Sequence, residues 1–393
     1  MSKTLAKSTG WNGVYSLTIG LSALIIGEFL PVGTLTPIAR DLHVTEGVAG
    51  QAVSASAIFA TVTSLLIAYV TRNFNRKHVI LALTGSLALS SFIVAFAPTF
   101  AFLIAGRILL GIAVGGLWSM AAAITIRLVS EEESAKAVAF VFAGASFASI
   151  LAAPLGSFLG AIIGWRNVFL ISGGCGALAF LWQAVALPAL APIGNVRLNT
   201  IVQVLKLPQF GIALTVIGLL YSGRFASFTF LRPFLEQRTH VDANLVSVGL
   251  LTYGMSYFAG NYFSPFLIKH HLRSTLWGMP GVLAAIGILT LVFGSYFIPT
   301  LILIFLWGAA FGPGAPAWTT WINKKAPEHA ETGGGLFVAA IQGAAAVGAA
   351  FGGFVFDAKG ANAVFEFSAV VWFLAAVLAY FKITIPRQTT RDR

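Results

Sequence analysis

Residues 14–36 read VYSLTIGLSALIIGEFLPVGTLT, an apolar run broken by one ionisable side chain, Glu28. At 1.5 Å of rise per residue such a run crosses a hydrocarbon layer of about 30 Å. Eleven further runs of that kind follow, at about 48–70, 79–97, 101–126, 136–161 and 167–187, and then, past the polar stretch Pro188–Pro208, at 209–234, 245–268, 275–297, 299–322, 333–356 and 364–383. The pattern predicts an all-α membrane protein of twelve transmembrane helices in two six-helix halves, residues 1–190 and 209–393, joined by a linker at 191–208. The first run lacks a small-residue cleavage site before Glu28, so it reads as a span rather than a signal peptide.

Composition agrees. Of 393 residues 58% are hydrophobic and 9% charged, and the mean hydropathy is +0.87. A soluble domain is about a quarter charged, so a soluble globular enzyme is excluded. The net charge of +11 suggests nucleic acid, but the Lys and Arg residues stand singly or in pairs between apolar runs. They mark topology instead. Alternate connectors hold Lys3 and Lys7; Arg72, Arg76 and Lys77; Arg127 and Lys136; Arg197 and Lys206; Lys269 and Arg273; Lys324 and Lys325; and Lys382, Arg387, Arg391 and Arg393, while the others hold little beyond Arg40, Arg166, Arg238 and Lys359. By the positive-inside rule both termini and the linker are cytoplasmic.

The single Cys175 rules out an internal disulfide or a Cys metal cluster. Gly333-Gly334-Gly335 opens a span with no strand before it, so it is no phosphate loop. No metal, cofactor or enzymatic triad is expected.

The chain also matches itself. Gly27-Glu28-Phe29 precedes Pro37 as Gly223-Arg224-Phe225, 196 positions on, precedes Pro233; at the same shift Pro154 to Phe158 fall on Ala350-Phe351-Gly352-Gly353-Phe354. Two matches at one shift indicate duplicated halves, a transporter architecture with the substrate site near the midplane between them.

Several motifs resemble those of one family. Phe102 to Gly111, with Arg107 at its centre, resembles the fourth-helix Arg motif of the major facilitator superfamily; Ala148 to Gly156 resembles the fifth-helix motif of its proton-driven exporters; Gly164-Trp165-Arg166-Asn167-Val168-Phe169 resembles the entry to helix 6 in its drug:proton antiporter-1 branch. Within that branch Glu28 to Val32, Leu35-Thr36-Pro37, Thr45 to Gln51 and Ala153 to Phe169 are similar to bacterial purine ribonucleoside efflux pumps, with sugar efflux transporters as the next relatives. The resemblance implies alternating access by a monomer in the bacterial inner membrane, with protons and a small molecule as its partners. The alternatives are sugar or drug export on the same fold, and an uncoupled facilitator or channel. One motif departs: Arg72 stands where the loop after helix 2 usually has an acid, although the basic end, Arg76-Lys77, is kept.

Ionisable residues deep in a span cost a few kcal/mol, at roughly 3 each on insertion scales, and are functional candidates by default. Glu28, Arg107 and Arg224 qualify; Arg232, Asp357 and Glu366 lie near span ends, within reach of water. Glu28 and Arg107 lie at comparable depth. Facing each other, they would form a proton-coupling pair, since a carboxylate that alternates between dry and wet or paired and unpaired settings binds and releases a proton. The alternative is a permanent ion pair fastening helix 1 to helix 4. Trp118 returns to the face of Arg107, suiting a flat polar ligand. Gln342, Asn261 and, less centrally, Gln51 offer both donor and acceptor, as a nucleobase edge requires, or else interhelical bonds. Phe29, Arg224, Phe228, Tyr257 and Trp318 complete the expected substrate contacts, with Tyr221 and Tyr253 beside them. Pro154, Gly156 and Gly352 mark expected hinges, and Pro316 a further bend.

Overall fold

The computed structural model describes residues 2–192 and 199–384. The expectations for Arg197, Arg387, Arg391 and Arg393, and for the side chains of Lys3 and Lys7, fall outside the described residues. The first half contains α1 (Ser2–Asp41), α2 (Glu46–Val70), α3 (Arg76–Ala95), α4 (Phe100–Leu128), α5 (Glu131–Ile163) and α6 (Trp165–Ala186). A short α7 (Asn199–Leu205) precedes the second half, which contains α8 (Phe210–Thr229), α9 (Leu231–Gln237), α10 (Ala243–Phe293), α11 (Phe297–Phe311), α12 (Gly314–Lys325), α13 (Ala330–Lys359) and α14 (Ala361–Lys382). Helices satisfy their own main-chain polar groups, as a chain in lipid must.

Among the described residues, eleven helices are long and apolar enough to cross a membrane. The twelfth expected span is inside α10, whose 51 residues would extend about 75 Å, over twice the hydrocarbon thickness. Its backbone leaves the helical region at His271 (φ −134°, ψ 31°). Thr239 Oγ1, just before α10, donates to Gly294 O, just after it, at 2.8 Å, so the helix doubles back. The expected connector around 269–274 is therefore a kink, and His270 and His271 lie within a helix, not in a loop. His78 likewise falls in the first turn of α3. The tenth span is interrupted at Gly312-Pro313, between α11 and α12. Pro316 sits in the first turn of α12, where a missing N–H costs nothing, and α5 runs through Pro154 unbroken.

The duplication is present in three dimensions. Gly164 (φ 82°) and Gly360 (φ 81°), 196 positions apart, each join two helices through a backbone conformation that L side chains rarely adopt. A Cβ on Gly156 would stand 3.2 Å from Leu30 O, and one on Gly352 would stand 3.2 Å from Ala226 Cα; Leu30 and Ala226 are again 196 apart. The same close crossing is thus built twice, α5 on α1 and α13 on α8.

Side chains from successive connectors tie each end of the bundle. At the end opposite the termini Trp165 Nε1 donates to Asp41 Oδ2 at 3.2 Å, Arg166 pairs with Asp41, and Arg166 Nη2 donates to Ala97 O at 3.0 Å. At the terminal end Leu190 O accepts from the main-chain N–H of Arg76 at 3.0 Å, and Arg76 Nη1 donates to Thr71 Oγ1 at 2.5 Å. Arg72, in the usual acid's place, lies over the Tyr69 ring at 4.6 Å.

The halves meet along α2 with α13 and α5 with α10. Asp357 Oδ2 accepts from Thr45 Oγ1 at 2.7 Å and Oδ1 from the Gly47 N–H at 3.0 Å, so a carboxylate caps the positive end of α2. Thr36 Oγ1 donates to Glu236 Oε2 at 2.6 Å. Arg232 does not reach for water: it is buried, pairs with Glu236 at 2.8 Å, and donates to Gly33 O and Ser157 Oγ across the interface. These bonds all lie toward the end opposite the termini, the distal end, and close it. Glu366, by contrast, is exposed.

Candidate substrate and proton site

Arg107 is fully buried and spends its whole fork on main chain and hydroxyl. Nε donates to Ala52 O at 3.0 Å, Nη1 to Gly27 O at 2.8 Å, and Nη2 to Glu28 O at 3.1 Å and Ser56 Oγ at 3.0 Å. The close-packed turns of α1, α2 and α4 bring those acceptors within reach. The expected side-chain ion pair is therefore replaced: Arg107 holds the backbone of Glu28, and its carboxylate accepts from Gln342 Nε2 of the other half at 3.4 Å. A backbone acceptor carries no sequence signature, so this partner was not legible.

Next to Glu28, Phe29 meets Phe228 edge to face at 5.9 Å, joining α1 to α8. Phe228 lies 4.8 Å from Tyr253, and Tyr257 stacks on Tyr253 and Phe311 at 6.3 and 6.1 Å. Within these rings lies the buried guanidinium of Arg224, whose Nε donates to Tyr253 Oη at 3.0 Å. A narrow cavity between the halves is lined by Phe29, Pro154, Arg224, Phe228, Tyr253 and Tyr257. Glu28, Phe29, Arg224, Phe228, Tyr257 and Gln342 thus converge.

Other expected contacts stand apart. Trp118 is half-buried, 5.9 Å from Phe142, and packs against the core of the first half. Trp318 is fully buried in the second half, edge-on to Trp321 at 6.0 Å. Asn261 is half-buried one turn beyond Tyr257, and its amide makes no hydrogen bond among the described residues. Gln51 bonds Gly47 O and Ala350 O, both at 3.4 Å, as an interhelical fastener. Phe311 was not anticipated; in a chain with 13% aromatic residues nothing in the pattern separates it from packing.

Comparison with known proteins supplies a frame for this geometry. A family model described as Major Facilitator Superfamily matches residues 16–337 and 213–392. The Pseudomonas aeruginosa protein named transcription regulatory protein OpdE is 40% identical over 378 residues, covering 95% of this chain and 94% of that protein. The Escherichia coli O6:H1 protein named purine ribonucleoside efflux pump NepI is 35% identical over 395 residues, covering 98% and 100%. Among solved structures, a bacterial homologue of the human lysosomal transporter Spinster, described as inward-facing and unoccupied, superposes with a TM-score of 0.72 at 15% identity, over 95% of this chain and 97% of that one. A D-xylose–proton symporter gives 0.73 at 16% identity, over 95% and 98%. These two likenesses concern the fold alone.

Proposed function

The chain belongs to the major facilitator superfamily, and we propose that it exports purine ribonucleosides such as inosine or adenosine in exchange for protons, by alternating access across the bacterial inner membrane with both termini in the cytoplasm. The nucleoside part rests on similarity along the whole chain to proteins named as purine ribonucleoside efflux pumps. The coupling part rests on one observation: the Glu28 carboxylate stands between the halves and binds Gln342 of the opposite half. A proton on that carboxylate weakens it as an acceptor for Gln342, so proton binding and the fit of the two halves are linked. Arg107, held by four acceptors, keeps α1 in place while Glu28 titrates.

The name of the Pseudomonas relative describes a regulator. Export of a metabolite that controls transcription changes expression without any contact with DNA, so both names accord with one transport activity.

The test is efflux of radiolabelled inosine in proteoliposomes with an imposed pH gradient. The parent protein is expected to move inosine uphill and to stop when the gradient is dissipated. Glu28→Gln keeps the side chain's shape and is expected to bind inosine yet fail to move it uphill. Uphill transport by Glu28→Gln at the parental rate overturns the proton-carrier role; gradient-independent equilibration by the parent identifies an uncoupled facilitator instead.

A further inference from the structure

The two arginines that hold helices together between and within the halves use their forks on the protein itself: Arg107 donates from all three nitrogens, and Arg232 from Nε and Nη1. Arg224 does not. Its Nε is bonded to Tyr253 Oη, whereas Nη1 and Nη2 have no hydrogen-bond partner among the described residues, and no carboxylate lies within salt-bridge distance of it. The guanidinium carbon is 5.0 Å from the Phe225 ring centroid, 5.6 Å from Phe228, 5.5 Å from Tyr257 and 5.1 Å from Phe311. The rings hold the cation, but they accept no hydrogen bond along the fork. Arg224 is one of the residues that line the narrow cavity between the halves, and donors left free beside such a cavity are available to a ligand.

We infer that the free Nη1/Nη2 edge of Arg224 reads the adjacent acceptors O6 and N7 of a 6-oxopurine, so that the site prefers inosine and guanosine to adenosine. The inference rests on the purine ribonucleoside reading above and names the member of that class the site takes. The chemistry is that of a planar fork, with two parallel N–H groups matching two in-plane acceptors. In duplex DNA the same edge makes Arg the usual partner of guanine, whereas Asn or Gln pairs with adenine through N6 and N7. Adenosine would turn its N6 amino group toward one arm of the fork, donor against donor. The surrounding aromatic faces stack on any purine and therefore contribute affinity but no discrimination. A matched bidentate contact discriminates by roughly 5- to 150-fold.

Equilibrium binding to the purified full-length protein in nanodiscs tests this, with inosine, guanosine, adenosine and 7-deazainosine as ligands. Inosine and guanosine are expected to bind at least fivefold more tightly than adenosine, and 7-deazainosine, which lacks the N7 acceptor, to fall toward the adenosine value. Arg224→Lys keeps the charge without the fork and is expected to bind inosine and adenosine alike; Arg224→Gln is expected to shift the preference toward adenosine. Equal binding of inosine and adenosine by the parent, or full retention of affinity by 7-deazainosine, overturns the inference and leaves the purine reading standing. Should none of the four ligands bind, the purine reading itself is overturned and the inference with it. The 7-deazainosine comparison uses the parent protein alone, so it decides the matter even where a variant does not fold.

Discussion

Arg107 donates Nη2 to the main-chain carbonyl of Glu28 at 3.1 Å and leaves the carboxylate of that residue to Gln342. An arginine and an acid that would neutralise each other as a side-chain pair instead have separate tasks. One fixes the backbone of α1 against α2 and α4; the other stays available at the boundary between the halves. The same position in the second half, 196 residues on, carries Arg224 rather than an acid, so the duplicated helices place an acid and a cation at equivalent positions of the two halves.

Arg107 is therefore expected to matter for folding as well as for transport. Arg107→Ala leaves three buried carbonyls and a hydroxyl without their donor, and a hydrogen bond to a charged group contributes about 1.5–3 kcal/mol. Thermal unfolding in detergent should show a clear fall in midpoint for Arg107→Ala and for Arg107→Lys, which cannot reach four acceptors, and little change for Glu28→Gln. An Arg107→Ala protein as stable as the parent would assign the residue to the transport cycle alone.

Closure of the distal end depends on Asp357 at the N-terminus of α2. In a Cys175→Ser background, Thr45→Cys with Asp357→Cys should form a disulfide, because the native oxygens are 2.7 Å apart. Oxidation is expected to stop efflux and reduction to restore it. Full transport by the quantitatively cross-linked protein would show that these two residues do not part during the cycle.

Close helix crossings make certain glycines intolerant of any side chain. A Cβ on Gly111 collides with Ser56 O of α2, whereas one on Gly174 meets nothing within 4 Å. Gly111→Val should reduce the folded yield on size-exclusion chromatography. Gly174→Ala should be neutral or stabilising by up to about 1 kcal/mol, since alanine favours the helix. Equal yields would show that α4 and α2 have room to separate.

Orientation is tested at two exposed phenylalanines at opposite ends, Phe74 after α2 and Phe96 after α3, 61% and 70% exposed. With Cys175 replaced, an impermeant maleimide applied to intact cells should label Phe96→Cys and spare Phe74→Cys until the membrane is permeabilised. The reverse pattern would place the termini outside and turn the proposed export into uptake.

Hydropathy alone determined that the chain lives in a bilayer, and how many times it crosses, because each crossing needs a run of apolar residues and every charge within it stands out. Matching the sequence against itself determined the duplication, since Gly27 and Gly223, Phe29 and Phe225, and Gly156 and Gly352 keep one spacing. Depth was legible too: rise per residue puts Glu28 and Arg107 at one level. Direction around the helix axis was not. In a soluble helix the buried stripe is apolar and the rest polar, but in lipid the outward face is as apolar as the packed one, so nothing in the pattern distinguishes Phe228, beside Arg224, from Trp318, buried in the core of the second half, and Trp118, half-buried against the core of the first. Only the tertiary structure decided those faces, turned α10 back at His271, gave Arg107 to main-chain carbonyls, and placed Arg224 in the lining of the cavity.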